Sequence, residues 1–251
     1  MSTSAKPLYA ASRQPAWLRV LGLAALGLFG VGLYLALFTS PADVNQGELI
    51  RIMYAHVSVA WISFLAVALT ALFGCLFLWS GKRVFDVWAV ANAELALVFA
   101  ALTLVGGMTY SRPTLNTWWT WDAKLTLTAL MFALLVGYFI VRGLLDDPER
   151  RGRVSAVVSI IVLASLPFNY LAAEWFRTLH PAKSLALDGS GVTMDGSMVQ
   201  VLLVNVAAAA VLYVYFMLER VRLGRLEAGL NEAQAAHVVT GAGGDREVIH
   251  V

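Results

Sequence analysis

A single cysteine stands among the 251 residues, Cys75, inside an apolar run. One thiol excludes an internal disulfide, a Cys-x-x-Cys redox pair and a Cys-x-x-Cys-His attachment site, so thiol chemistry is not an expected function. Charge is scarce as well. Only 14% of residues are charged, where soluble domains carry about a quarter. The 18 basic and 16 acidic side chains nearly cancel, so no polyanion-binding surface is implied and nucleic acid is not an expected partner. Neither a glycine-rich phosphate cradle nor a Walker lysine occurs, and an ATP-driven step would therefore belong to another chain.

Apolar residues fill the space that charge leaves, at 59% of the chain. Crossing about 30 Å of hydrocarbon at 1.5 Å per residue takes roughly 20 apolar residues. Six runs qualify: Val20 to Phe38, Val57 to Trp79, Val87 to Tyr110, Leu125 to Val141, Val154 to Phe176 and Met198 to Leu218. They lack the alternation of barrel strands, so each reads as a helix that satisfies its own backbone. The expected fold is an all-α integral membrane protein with six transmembrane helices. The first run is too long for a signal-peptide core and no small-residue cleavage site follows it, so it is expected to be retained.

Lys and Arg collect on cytoplasmic flanks. Thirteen of the 18 lie in the two tails and in the turns at 80–86 and 142–153; the other three loops hold Arg51, Arg112, Lys124, Arg177 and Lys183. That bias predicts cytoplasmic termini, with the first, third and fifth loops outside. Residues 1–19 then form an N-terminal tail, 20–218 the membrane domain and 219–251 a cytoplasmic tail whose end, after about Glu227, reads as disordered.

The same parity gathers "RIMYAHVSVAW", "TLNTWWTWDAKLT" and "EWFRTLHPAKS" in one compartment. Of the four histidines, His56 and His180 lie there, whereas His237 and His250 fall in the tail. A tryptophan at a span end ordinarily anchors in the interface, but Trp118, Trp119 and Trp121 within four positions exceed that need. Were the segment helical, Trp118, Trp121 and Asp122 would share one face, with Trp119 about 100° away. Arg51, Lys124 and Arg177 could meet lipid head groups or an anionic ligand. A flat, apolar molecule with a metal that takes two imidazoles and a negatively charged rim would suit these residues, and haem is such a molecule. A zinc or copper site, or no ligand at all, remains open at this point, although two histidines without a cysteine make a poor structural zinc site. In the third span, Glu94 and Asn92 are expected to snorkel or to bond between helices. Pro167 with Asn169 is expected to kink the fifth, and Glu174 to lie near the outer site.

The stretches "RIMYAHV", "TWWTWDAKLT" and "EWFRTLH", in this order and on this topology, resemble the CcmC family of cytochrome c maturation, over about residues 17 to 220. The chain departs from the family pattern at Leu115 and Asn116, where Trp-Gly is usual, at Lys124, where Arg is usual, and at Ser58, where proline is common. The resemblance implies no enzyme but a haem-handling subunit of a bacterial inner membrane. Its WWD segment would sit in the periplasmic loop between helices 3 and 4. It implies haem b held through two loop histidines, His56 and His180, and stacked on Trp118, Trp119 and Trp121, with Asp122, Arg51 and Lys124 contributing. Delivery to the haem chaperone CcmE, and association with CcmA, CcmB and CcmD in an ABC-type complex, are implied too. Two other functions use similar parts. An electron-transferring b-type cytochrome would place more histidines within its spans, and a permease subunit would purify without a Soret band.

Overall fold

The computed structural model describes residues 13–176, 178–180 and 194–244, with the backbone alone for 232 and 235–244. Among the described residues the regular structure is helical, and six helices are long and apolar enough to cross a membrane. They are α1 (Ala16–Tyr34, extended by a π-turn over Leu35–Thr39), α2 (Ile50–Ser80), α3 (Arg83–Leu115), α4 (Ala123–Gly143), α5 (Pro148–Trp175) and α6 (Gly196–Gly244). All six expected spans are there, each longer than its apolar run. The backbone continues helical bonding into the interface until a cap or turn stops it.

Those stops are legible in side chains. α2 ends at Gly81, whose left-handed φ of 65° returns its N–H to the Phe77 carbonyl at 2.8 Å, a conformation that suits a residue without Cβ. Asp147 caps α5 by accepting from the Arg150 N–H at 2.6 Å, with Pro148 in the first turn, where its missing N–H costs nothing. α6 continues past Glu227 to Gly244 as one helix of 49 residues, more than twice the roughly 20 that the hydrocarbon needs.

The core forms where α2, α3, α4, α5 and α6 meet. Ala66, Ala96 and Ala100 are fully buried there beside Met131, Leu135, Val162 and Tyr213. Small residues let helices approach closely, which drives association where lipid is as apolar as leucine. α1 is peripheral and packs along α6, joined by the Asn205 amide donating to the Gly32 carbonyl at 3.0 Å. Polar pairs tie the end of the bundle at which α3 begins: Arg142 holds Asp86 through two bonds of 2.9 and 2.7 Å, and Arg220 grips Glu94. The Tyr213 hydroxyl meets Asn92. Glu94 and Asn92 thus bond between helices, one of the two roles expected for them.

Candidate functional site

The WWD segment fills the gap between α3 and α4 and is not helical. The shared helical face of Trp118, Trp121 and Asp122 therefore does not form. The cause is local. α3 stops at Asn116, whose φ of 55° is left-handed, and Asn is among the few residues with a side chain that enter this region readily. Asn116 fills, in backbone terms, the position where glycine is usual in the resembling family. Thr117 then folds the chain over, its hydroxyl donating to the Trp119 carbonyl at 3.0 Å. Asp122 ends the loop: one carboxylate oxygen caps α4 by accepting the Leu125 N–H at 3.0 Å, and the other accepts the Thr120 hydroxyl at 3.2 Å.

This hooked loop separates the three indoles. Trp119 turns inward with its Nε1 buried and unpartnered. Trp118 and Trp121 are 54% and 82% exposed, Trp121 standing edge-on to Trp119 with ring centroids 5.6 Å apart. Trp119 faces a cavity of about 580 Å³, whose wall also includes His56, His180, Asp122 and Lys124. That volume falls within the roughly 300 to 1,000 Å³ of small-molecule and cofactor sites. Met53, Trp61, Phe64, Met108 and Leu202 supply apolar wall, and Asn45, Gln46 and Tyr110 polar wall. Five of the eight expected site residues thus meet around one space. Trp118 and Trp121 do not line it, and neither does Arg51, which pairs with Glu48.

The two histidines are held differently. His56 sits in α2, not in a loop, because the helix begins at Ile50, earlier than the expected span; Tyr54, fully buried and bonded to the Ser40 hydroxyl at 2.6 Å, anchors that early turn. The His56 ring lies flat against α3 at Gly106 and Gly107: a Cβ on either would come within 3.0 Å of Nδ1 or 3.2 Å of Cε1. Nδ1 is buried, and the Thr103 backbone of α3 is a hydrogen-bond partner of the ring. His180 lies beyond the end of α5, where its N–H donates to the Thr178 hydroxyl at 3.1 Å. Arg177 lies outside the described residues, as do Lys183 and His250, and the His237 side chain is not described.

Lys124 reaches inward from the first turn of α4, its ammonium bonded to Asn169 of α5 at 2.7 and 3.1 Å. Among the described residues no three of His, Cys, Asp and Glu gather closely enough to hold a metal ion. Two imidazoles stand in the cavity wall, beside the thioethers of Met53 and Met108 and the carboxylate of Asp122. The imidazoles, the apolar wall and the buried, unpartnered indole N–H suit a large flat ligand whose own metal lacks axial partners.

Some residues that shape the site carry no signal that the composition or the histidine count can show. Gly106 and Gly107 could have been noticed as a glycine pair inside an apolar helix, where glycine marks close approach. Gln46, which bonds the Tyr110 hydroxyl, is placed by a turn: Asp43 accepts the N–H groups of Asn45 and Gln46 at 2.9 and 2.8 Å.

The profile of the family CcmC, described as Heme exporter protein C, matches residues 1–236. Heme exporter protein C of Bradyrhizobium diazoefficiens is 32% identical over 203 residues, covering 80% of this chain and 76% of that one. A putative cytochrome c biosynthesis ccmC-like mitochondrial protein of Marchantia polymorpha is 29% identical over 192 residues, 76% of this chain and 81% of its own. Heme exporter protein C of Escherichia coli K12 is 32% identical over 163 residues, 64% and 65% of the two chains.

Proposed function

The chain belongs to the CcmC family and is a multi-pass membrane protein of haem handling in cytochrome c maturation; from that premise we propose that haem is its cargo, bound between His56 and His180. The observation that carries this is the convergence of His56, His180 and Trp119 on one cavity from three separate parts of the chain. Haem iron accepts two axial nitrogens. In this reading both imidazoles ligate it, and the inward indole of Trp119 packs on the macrocycle or donates to its edge. Asp122 fixes the loop that presents Trp119 and is consumed as a helix cap.

The two ligands divide the work of holding and releasing. His56 is set in a packed groove between α2 and α3. His180 follows the helix end, so it can leave the iron without any helix unwinding. Trp118 and Trp121 face outward and offer a docking surface for an acceptor, which we assign to a CcmE-like haem chaperone. The lysine and arginine bias supports a cavity on the periplasmic side of a bacterial inner membrane with both termini cytoplasmic, and membership of the family supports association with CcmA, CcmB and CcmD-like subunits, the ATPase being a separate chain.

Purified in detergent, the protein is expected to carry a Soret band and to lose it to the apo-chaperone. Trp119→Leu should lower the haem retained, while the Trp118→Leu, Trp121→Leu pair should retain haem but deliver it slowly. Wild-type retention in the first variant together with wild-type delivery in the second would return the indoles to interfacial anchoring. Orientation has its own test. With Cys75 replaced by Ser, a cysteine at the fully exposed Val44 should react with an impermeant maleimide in intact cells. One at the exposed Ser80 should react only after lysis, and the reverse pattern would move the cavity to the cytoplasmic face.

A further inference from the structure

Lys124 is tied into a ring of bonds in the wall of the cavity. Its ammonium donates to both the backbone and side-chain oxygens of Asn169, at 2.7 and 3.1 Å. The Asn169 amide donates to the Thr128 hydroxyl at 3.0 Å, and that hydroxyl donates back to the Lys124 carbonyl at 2.8 Å. Asn169 is fully buried and Thr128 is 8% exposed. The ammonium also lies 5.8 Å from the centre of the Phe64 ring on α2. One cation thus joins α4 to α5 and touches the helix that carries His56.

The place where it grips α5 matters. Asn169 follows Pro167 by two residues, and a proline inside a helix removes one backbone bond and weakens the helix at that point. Beyond it α5 has only two turns left, and the chain then leads to His180. Apart from these bonds, that outer piece is held by the packing of the fully buried Ala172 and by the chain across the proline break.

We infer that Lys124 is a positioning residue: its bonds to Asn169 hold the outer part of α5, and with it His180, at the haem cavity. The inference rests on the reading of His180 as a haem ligand. It differs from a direct role for the ammonium as partner of a haem carboxylate, the role a cation in this wall would otherwise suggest.

Haem and haem dimethyl ester, whose carboxylates are blocked, separate the two when titrated into the haem-depleted, detergent-solubilised full chain. Lys124→Met should weaken both ligands to the same degree, on the order of tenfold, as loss of an outer partner of a metal ligand does. Its residual haem should show the spectrum of His180→Ala. In the Lys124→Met, His180→Ala double variant the second change should add little to the first, and Lys124→Arg, which can donate to the same two oxygens, should restore wild-type binding. Should the methionine variant not accumulate, Lys124→Gln is expected to give the same pattern in weaker form. A loss confined to haem with free carboxylates, or full additivity with His180→Ala, would overturn the positioning role and leave the ligand reading intact. A wild-type spectrum in His180→Ala would remove the ligand reading and the tether together.

Discussion

Replacing His56 and His180 together by alanine is expected to abolish the Soret band of the purified protein while leaving six helices inserted. Either single change should shift the spectrum and weaken binding by more than the roughly ten- to hundredfold that outer-shell partners of a metal ligand cost, since each removes a bond to iron itself. The singles should differ from one another. His56 lies against α3, with its Nδ1 buried, so its removal leaves a gap between α3 and the cavity that free imidazole can fill. Added imidazole should therefore return a two-nitrogen spectrum to His56→Ala. His180 lies past the helix end, and its loss opens the iron to water as well as to added base, so rescue there should need more imidazole. Alanine at His237 and His250 should change nothing. A folded double variant with wild-type Soret intensity and haem stoichiometry would end the axial-ligand assignment.

How much of this is visible in the sequence depends on the kind of signal. The six spans follow from apolar length, because a bilayer leaves a backbone few alternatives, and five of the six expected runs lie inside observed helices while the fifth overruns its helix by Phe176 alone. Their ends are less legible. "IRIMYAHV" contains Arg and His and reads as loop on hydropathy, yet it is the first two turns of α2, because burial of Tyr54 against Ser40 outweighs local polarity. The gathering of His56, Trp119 and His180 follows from loop parity alone. Which indole faces the cavity does not, because that depends on the dihedral angles of Asn116 and on two threonine hydroxyls. A helical wheel has no purchase on a segment that is not a helix. Lys124 is legible as a cation near the site, but its partner lies 45 residues away on α5, a pairing that only the packed bundle creates.

The groove that holds His56 supplies the other large effect. Gly106 and Gly107 are expected to act on haem without touching it, by leaving room for the imidazole. A Cβ on Gly106 would stand 3.0 Å from His56 Nδ1, and one on Gly107 3.2 Å from Cε1, separations at which the ring must move by a few tenths of an ångström. Alanine should therefore lower haem affinity modestly at either position. Valine, with two further methyl groups and a stiff rotamer, should lower it on the order of ten- to a hundredfold, as loss of an orienting contact around a metal ligand does. Stability provides the control. Glycine inside a helix costs about 0.8 to 1 kcal/mol relative to alanine, so Gly106→Ala and Gly107→Ala should leave the bundle as stable as before or more so while haem affinity falls modestly. Gly137 of α4 has nothing within 4 Å of its virtual Cβ, and Gly137→Ala should bring the helical gain with haem binding unchanged. The measurements are thermal unfolding of the apoprotein in detergent and haem titration of the same preparations. Equal haem affinity in Gly106→Val, Gly107→Val and Gly137→Ala would show that the imidazole does not depend on this groove, and His56 would then need another means of being held.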